Sequence, residues 1–178
     1  MGTNHMGRQS IRFPQPPVVR GFASVAGKKE REGPLGDQFT ATVQDTTFGE
    51  KSWEQAERRM QQMTLELALE KAGLTDADLE AAFAGDLLNQ CIGSSFSLRN
   101  RGVPTLGLYG ACSTMAESLL LAAMSVSGGF ARTALAMTSS HFASSERQYR
   151  FPLGYGGQRT PTSQWTVTGA GAVLLGGG

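Results

Sequence analysis

Residues 113–127 read as a long helix with Glu117 as its only charge, and a helix this apolar on all sides has to be buried. Directly before it, residues 104–109 form a short apolar strand that runs into a tight Gly110-Ala111 turn. Cys112 stands at the junction of turn and helix. Elsewhere, helical patterns alternate with short apolar strands. The class that follows is α/β, with a mostly parallel, buried sheet.

The remaining elements are read from periodicity and punctuation. The first residues, MGTNHM, look like a cloning remnant, and residues 1–7 are set aside as a tail. Residues 18–25 form a first strand and residues 26–48 a loop. Residues 52–72 are the clearest helix: Trp53, Ala56, Met60, Met63 and Leu67 fall three and four apart. Ser52 is its N-cap with Gln55 at the capping-box position, and Gly73 closes it. Thr75 and Asp78 open a second short helix. Residues 82–88 and 133–138 are buried strands, 93–101 is a short helix or turn, and 139–164 is a long polar loop. Residues 165–175 form a last strand that bends at Gly169 and Gly171.

Composition narrows the function. With 178 residues, 40% of them hydrophobic, the chain can bury one substantial core. A net charge of +1 and the lack of a basic stripe argue against nucleic acid as a partner, and the mixed run at residues 28–32 reads as a solvated loop. Two cysteines, Cys91 and Cys112, point to a reducing compartment rather than a disulfide scaffold. No signal peptide is expected. The longest apolar run, residues 119–124, is too short to span a bilayer, so membrane association is expected from the surface or through a partner.

Two readings are open for Cys112. At the N-terminus of a buried helix, free N–H groups and the helix dipole favour thiolate, which makes a nucleophile or an anion seat. Alternatively, it is a small buried residue. Ser113 and Thr114 can donate hydroxyls to a ligand or cap the helix, and capping is preferred here. His141 follows a buried strand, where a structural, hydrogen-bonded role competes with a place in a site. Because Cys112 and His141 both lie beyond the C-terminal ends of parallel strands, they are expected to face one cleft. Arg147, Arg150 and Arg159 offer guanidinium groups that match a carboxylate, against the alternative of a local Glu146–Arg150 ion pair. Tyr149, Phe151 and Tyr155 could stack on a ring or anchor the loop. Asp86 is read as meeting backbone N–H groups, and Cys91 as structural.

The Gly110-Ala111-Cys112-Ser113-Thr114 turn into a buried helix, followed by a strand and the Gly-Ala-Gly-Ala run at 169–172, resembles the nucleophile half of thiolases and ketosynthases. Residues 138–142, 146–152 and 161–169 resemble more closely the stage V sporulation protein AD family, a non-condensing branch of that fold. The resemblance covers residues 8–178. It implies a duplicated five-layer α-β-α-β-α fold and a homodimer, with this chain as the N-terminal half. Condensing relatives take their catalytic histidine, and a second His or Asn, from the other half. His141 sits where they carry a different sequence, and Met115 sits where many have a small residue. Both departures argue against condensation and for a protein that is not an enzyme.

What the resemblance implies for function is binding of dipicolinic acid, alone or as its calcium chelate, during uptake into and release from the spore core. The expected partners are the other subunits of a spore membrane channel complex, and the expected location is the forespore cytoplasm, peripheral to the spore inner membrane. No cofactor or metal site is expected, calcium entering only within a ligand chelate. The ligand contacts would be Cys112, Ser113, Thr114, His141, Arg147 and Arg150. The alternative is an acyltransferase with Cys112 as acyl acceptor and His141 beside it.

Overall fold

The computed structural model describes residues 4–149, 161–162 and 164–178. A small antiparallel ribbon of β1 (His5–Met6) and β2 (Ser10–Ile11) stands apart from the main sheet. The body then runs β3 (Val18–Ala26), α1 (Lys28–Arg31), β4 (Ala41–Thr42), α2 (Trp53–Ala72), β5 (Ala81–Gly85), α3 (Ile92–Leu98), β6 (Thr105–Gly107), α4 (Thr114–Ser127), β7 (Thr133–Ser140), α5 (Phe142–Tyr149) and β8 (Gly169–Gly176).

The main sheet has six strands in the order β4-β3-β8-β7-β5-β6. Five point the same way, and β8 lies antiparallel to both its neighbours, β3 and β7. The expected α/β class with a mostly parallel sheet is therefore what forms. Side chains alternate between the two faces, as strand geometry demands. Ala82, Ala84, Leu135, Met137 and Leu174 join Leu65, Ala68 and Leu69 of α2 in one core. Phe83, Ala134, Ala136 and Leu175 join Ala122, Ala123 and Val126 of α4 in another. Sheet and helices thus make three layers, α2 with α3 on one side and α4 on the other. Each fully buried Leu or Met here contributes roughly 1.5–3 kcal/mol by leaving water.

The caps of α2 are as read. Ser52 Oγ accepts from the Gln55 N–H at 3.3 Å, and Gly73 takes a left-handed φ of 65° that a side chain would resist. The Thr75–Asp78 capping box is also present. The buried face of α2 is rotated from the expected stripe: Ala56, Glu57, Met60, Gln61, Thr64, Leu65, Ala68 and Leu69 are inside, while Trp53, Met63 and Leu67 are only partly covered. Residues 28–32 contain the one-turn α1 instead of a plain loop. The stretch read as a loop from residue 139 begins with the end of β7 and then α5. The last strand starts at Gly169, not at residue 165.

Candidate functional site

β6 and the following residues deliver the chain to a turn in which Ala111 adopts a left-handed φ of 49°. For a non-glycine residue this costs roughly 1–2 kcal/mol, strain of a kind that gathers at functional sites. A single 3₁₀ turn, Ala111–Ser113, then leads into α4. The turn is tied twice to Gly110: its N–H donates to Thr114 Oγ1 at 3.1 Å, and its carbonyl accepts from Ser113 Oγ at 2.8 Å. Both hydroxyls therefore brace the turn, and Thr114 is buried.

Cys112 is exposed and lies on an open cleft of about 590 Å³. Phe39, Leu87, Met115 and Trp165 supply apolar walls, and Thr138, Ser140 and Thr166 supply polar edges. Of the ligand contacts expected from the sequence, Cys112 alone lines this cleft.

His141 is elsewhere, and the expectation that it shares a cleft with Cys112 is corrected. Its ring lies among Phe48 and Trp53, on the side of the sheet that α2 covers, whereas Cys112 leads into α4 on the other side. Nε2 donates to the Thr46 carbonyl at 2.8 Å, and Nδ1 accepts from the Ala143 N–H at 3.2 Å. Both nitrogens are thus occupied in one neutral tautomer, and burial holds the ring below the usual histidine range.

Arg147 is paired with Glu54 of α2. Arg150, Arg159, Phe151 and Tyr155 lie outside the described residues. Tyr149 donates to the Leu87 carbonyl at 2.7 Å and meets the Tyr109 hydroxyl at 2.8 Å. Burial and that second phenol push Tyr149 up to about 12. Cys91 is buried, its Sγ donating to the Leu108 carbonyl at 3.1 Å, and burial raises its thiol. Asp86 accepts from Leu88 N–H at 3.0 Å and from Ser94 N–H and Oγ, each at 2.7 Å.

Asp86 also ends a buried polar chain that the sequence reading missed. Gln61 Nε2 donates to Ser94 Oγ at 3.1 Å and to Ser139 Oγ at 2.6 Å, while Gln61 Oε1 accepts from Ser97 Oγ at 2.6 Å. Ser139 Oγ donates on to Glu57 Oε1 at 2.7 Å, and Ser144 Oγ donates to Glu57 Oε2 at 2.9 Å. Glu57 is fully buried, and burial, aided by the charge on Asp86, pushes its carboxyl up to about 7. The signal was available: Glu57 and Gln61 stand eight and four residues before Leu65, on the line that Leu65 and Leu69 continue.

The family model described as stage V sporulation protein AD matches residues 7–178. The chain belongs to the stage V sporulation protein AD family. A family member, stage V sporulation protein AD of Bacillus subtilis (strain 168), is 44% identical over 169 residues, covering 95% of this chain and 50% of the relative. The chain therefore spans about half the length of the curated relative it matches. Among solved structures, the priming β-ketosynthase of the R1128 polyketide pathway superposes with a TM-score of 0.60 at 17% identity, over 94% of this chain and 52% of that one. The 3-oxoacyl-[acyl-carrier-protein] synthase III of Aquifex aeolicus VF5 gives 0.60 at 16%, over 90% and 53%. OleA of Xanthomonas campestris gives 0.60 at 15%, over 92% and 56%. The chain thus has the thiolase-type fold of these ketosynthases over about half of their length.

Proposed function

We propose that this chain is the N-terminal half of a sporulation protein that binds dipicolinic acid, free or as its calcium chelate, for uptake into and release from the spore core. The family supplies the sporulation setting. The observation that carries the binding mode is the setting of Cys112. It is exposed on a cleft whose lining, among the described residues, contains no histidine, lysine or carboxylate. An exposed thiol on an open, largely apolar cleft can meet a ligand reversibly, without a covalent step. Phe39 and Trp165 offer aromatic walls to a flat ring.

In this reading, one ligand carboxylate approaches the turn at Cys112, Ser113 and Thr114. Arg150 is the guanidinium proposed for the other. Arg147 would join it by leaving Glu54. His141 has no direct part in this binding mode and braces the frame through its bond to Thr46. No cofactor takes part, and calcium enters only with the ligand. A homodimer is part of the proposal. β6 is an exposed sheet edge, with Leu106 and Tyr109 about half exposed, and such an edge is ready to pair with another strand. Among the described residues no helix is long and apolar enough to cross a membrane. Contact with the spore inner membrane is therefore proposed to run through the other channel subunits.

The alternative is an acyltransferase of the ketosynthase or thiolase type with Cys112 as acyl acceptor, which the fold and the strained turn at Ala111 favour. Incubation with acetyl-CoA followed by mass spectrometry separates the two. The binding reading predicts an unmodified Cys112. An acyl group on Cys112, absent in Cys112→Ala, would establish the alternative.

A further inference from the structure

The buried chain around Glu57 has an unusual position. Glu57 sends one oxygen to Ser139 on β7 and the other to Ser144 on α5. α5 has no buried apolar residue: Ser144 and Ser145 are the side chains it buries. It is held to the body largely by polar contacts. Besides Ser144 to Glu57, these are Arg147 to Glu54, Gln148 Nε2 to the Leu87 carbonyl at 3.0 Å, and Tyr149 to the same carbonyl. Leu87 is a wall of the Cys112 cleft. Ser144, Arg147 and Gln148 line a second cleft of about 560 Å³ with Leu88 and Asn89.

The hydrogen inventory at Ser144 has room for one more proton. Its single hydroxyl hydrogen faces two acceptors, Glu57 Oε2 at 2.9 Å and the His141 carbonyl at 3.1 Å. When Glu57 is a neutral acid, its own O–H donates to Ser144, and Ser144 donates to His141. Every bond is then made. When Glu57 is ionised, the serine hydrogen turns to the carboxylate, and a charge sits buried with two hydroxyls for company.

Among the described residues no ion pair offsets that charge, since none includes Glu57. On α2, Glu54 is paired with Arg147, and Arg58 lies 3.5 Å from Glu50. From the segment after β5, Asp86 adds a like charge. From the end of β7, His141 is neutral. On α5, Arg147 is taken by Glu54, and Glu146 receives the Thr166 hydroxyl at 3.4 Å.

We propose that Glu57 is a proton-binding residue whose charge state sets how firmly α5 seats against α2, and through α5 the shape of both clefts. The seat is firm while Glu57 holds a proton and loosens as the pH rises past neutrality. This requires no ligand and stands apart from the dipicolinate reading.

The test is amide hydrogen exchange of the α5 segment in the intact chain between pH 6 and pH 8, corrected for the intrinsic pH dependence of exchange. Protection is expected to fall severalfold across that range in the wild type and to stay level in Glu57→Gln, which keeps size and hydrogen-bonding capacity but cannot ionise. An equal fall in both proteins, or level protection in both, overturns the proposal. Carbon-13 titration of the Glu57 carboxyl in the unmodified chain needs no variant. A midpoint near neutrality supports the proposal, and one in the ordinary carboxylate range of about 4 to 5 overturns it.

Discussion

His141 and Thr46 are joined by a 2.8 Å hydrogen bond from the imidazole Nε2 to the backbone carbonyl, across 95 residues of chain. The bond pins the segment before α2 to the end of β7, and it places this histidine in the frame of the protein. Removing the ring would leave a buried carbonyl without its donor and open space beside Phe48 and Trp53.

His141→Ala is accordingly expected to cost about 1–3 kcal/mol of stability in denaturant unfolding. The rate at which iodoacetamide alkylates Cys112 should stay as in the wild type. A changed alkylation rate in a folded variant would place His141 in electrical contact with the thiol.

Glu57 and His141 give opposing pH trends. Glu57 is raised from 4.5 to about 7 in the fold, so its contribution to stability is complete below about 4.5 and is lost as the pH climbs to about 7. That loss is on the order of 3 kcal/mol. His141 is lowered by burial, so its contribution is present above the unfolded histidine value and is lost as the pH falls below it. Glu57→Gln removes the first trend and keeps the second. Its stability should fall only on acidification, and the wild-type advantage over it should shrink steadily between pH 4.5 and 7. Paired urea unfolding curves across that range check both signs.

Much of this architecture is legible in the residues, and the gaps have physical reasons. Ser52, Gln55 and Gly73 mark the ends of α2 because caps act locally. The run before Cys112 and the helix after it, with Glu117 as its one charge, mark the nucleophile-type turn for the same reason. α5 is hidden because its buried positions are Ser144 and Ser145, which leave no apolar stripe to read. The reversed direction of β8 is a tertiary property, invisible in its Gly-Ala alternation. Cys112 and His141 both follow strand ends, as expected, yet they lie on opposite sides of the sheet. The missing information was which helix covers which face.

Gly85 ends β5 beside Leu108 and Thr114. A Cβ there would lie 2.1 Å from the Leu108 carbonyl oxygen and 2.6 Å from Thr114 Cγ2. Backbone has to move to admit it. Gly85→Ala should therefore destabilise the fold by about 2 kcal/mol or more. It should also alter Cys112 alkylation, because Leu108 and Thr114 flank the turn. A wild-type melting curve for this variant would contradict the close packing.

α4 presents Leu120 and Met124 to solvent at about 45% exposure, and Phe130 just beyond it is 85% exposed. This apolar stripe on a helix otherwise packed against the sheet is expected to drive self-association at micromolar concentration. Sedimentation velocity should show species larger than the monomer. Leu120→Lys combined with Met124→Lys should shift them toward monomer without loss of helical signal. A monodisperse wild-type monomer would contradict this.

The central claim is that the Cys112 cleft belongs to a ligand-binding protein. Calorimetric titration with dipicolinic acid, with and without calcium, beside acetyl-CoA, tests it most directly. The account predicts saturable dipicolinate binding, only modestly weakened by Cys112→Ala, and no response to the thioester. A response to acetyl-CoA alone, abolished in Cys112→Ala, would contradict it.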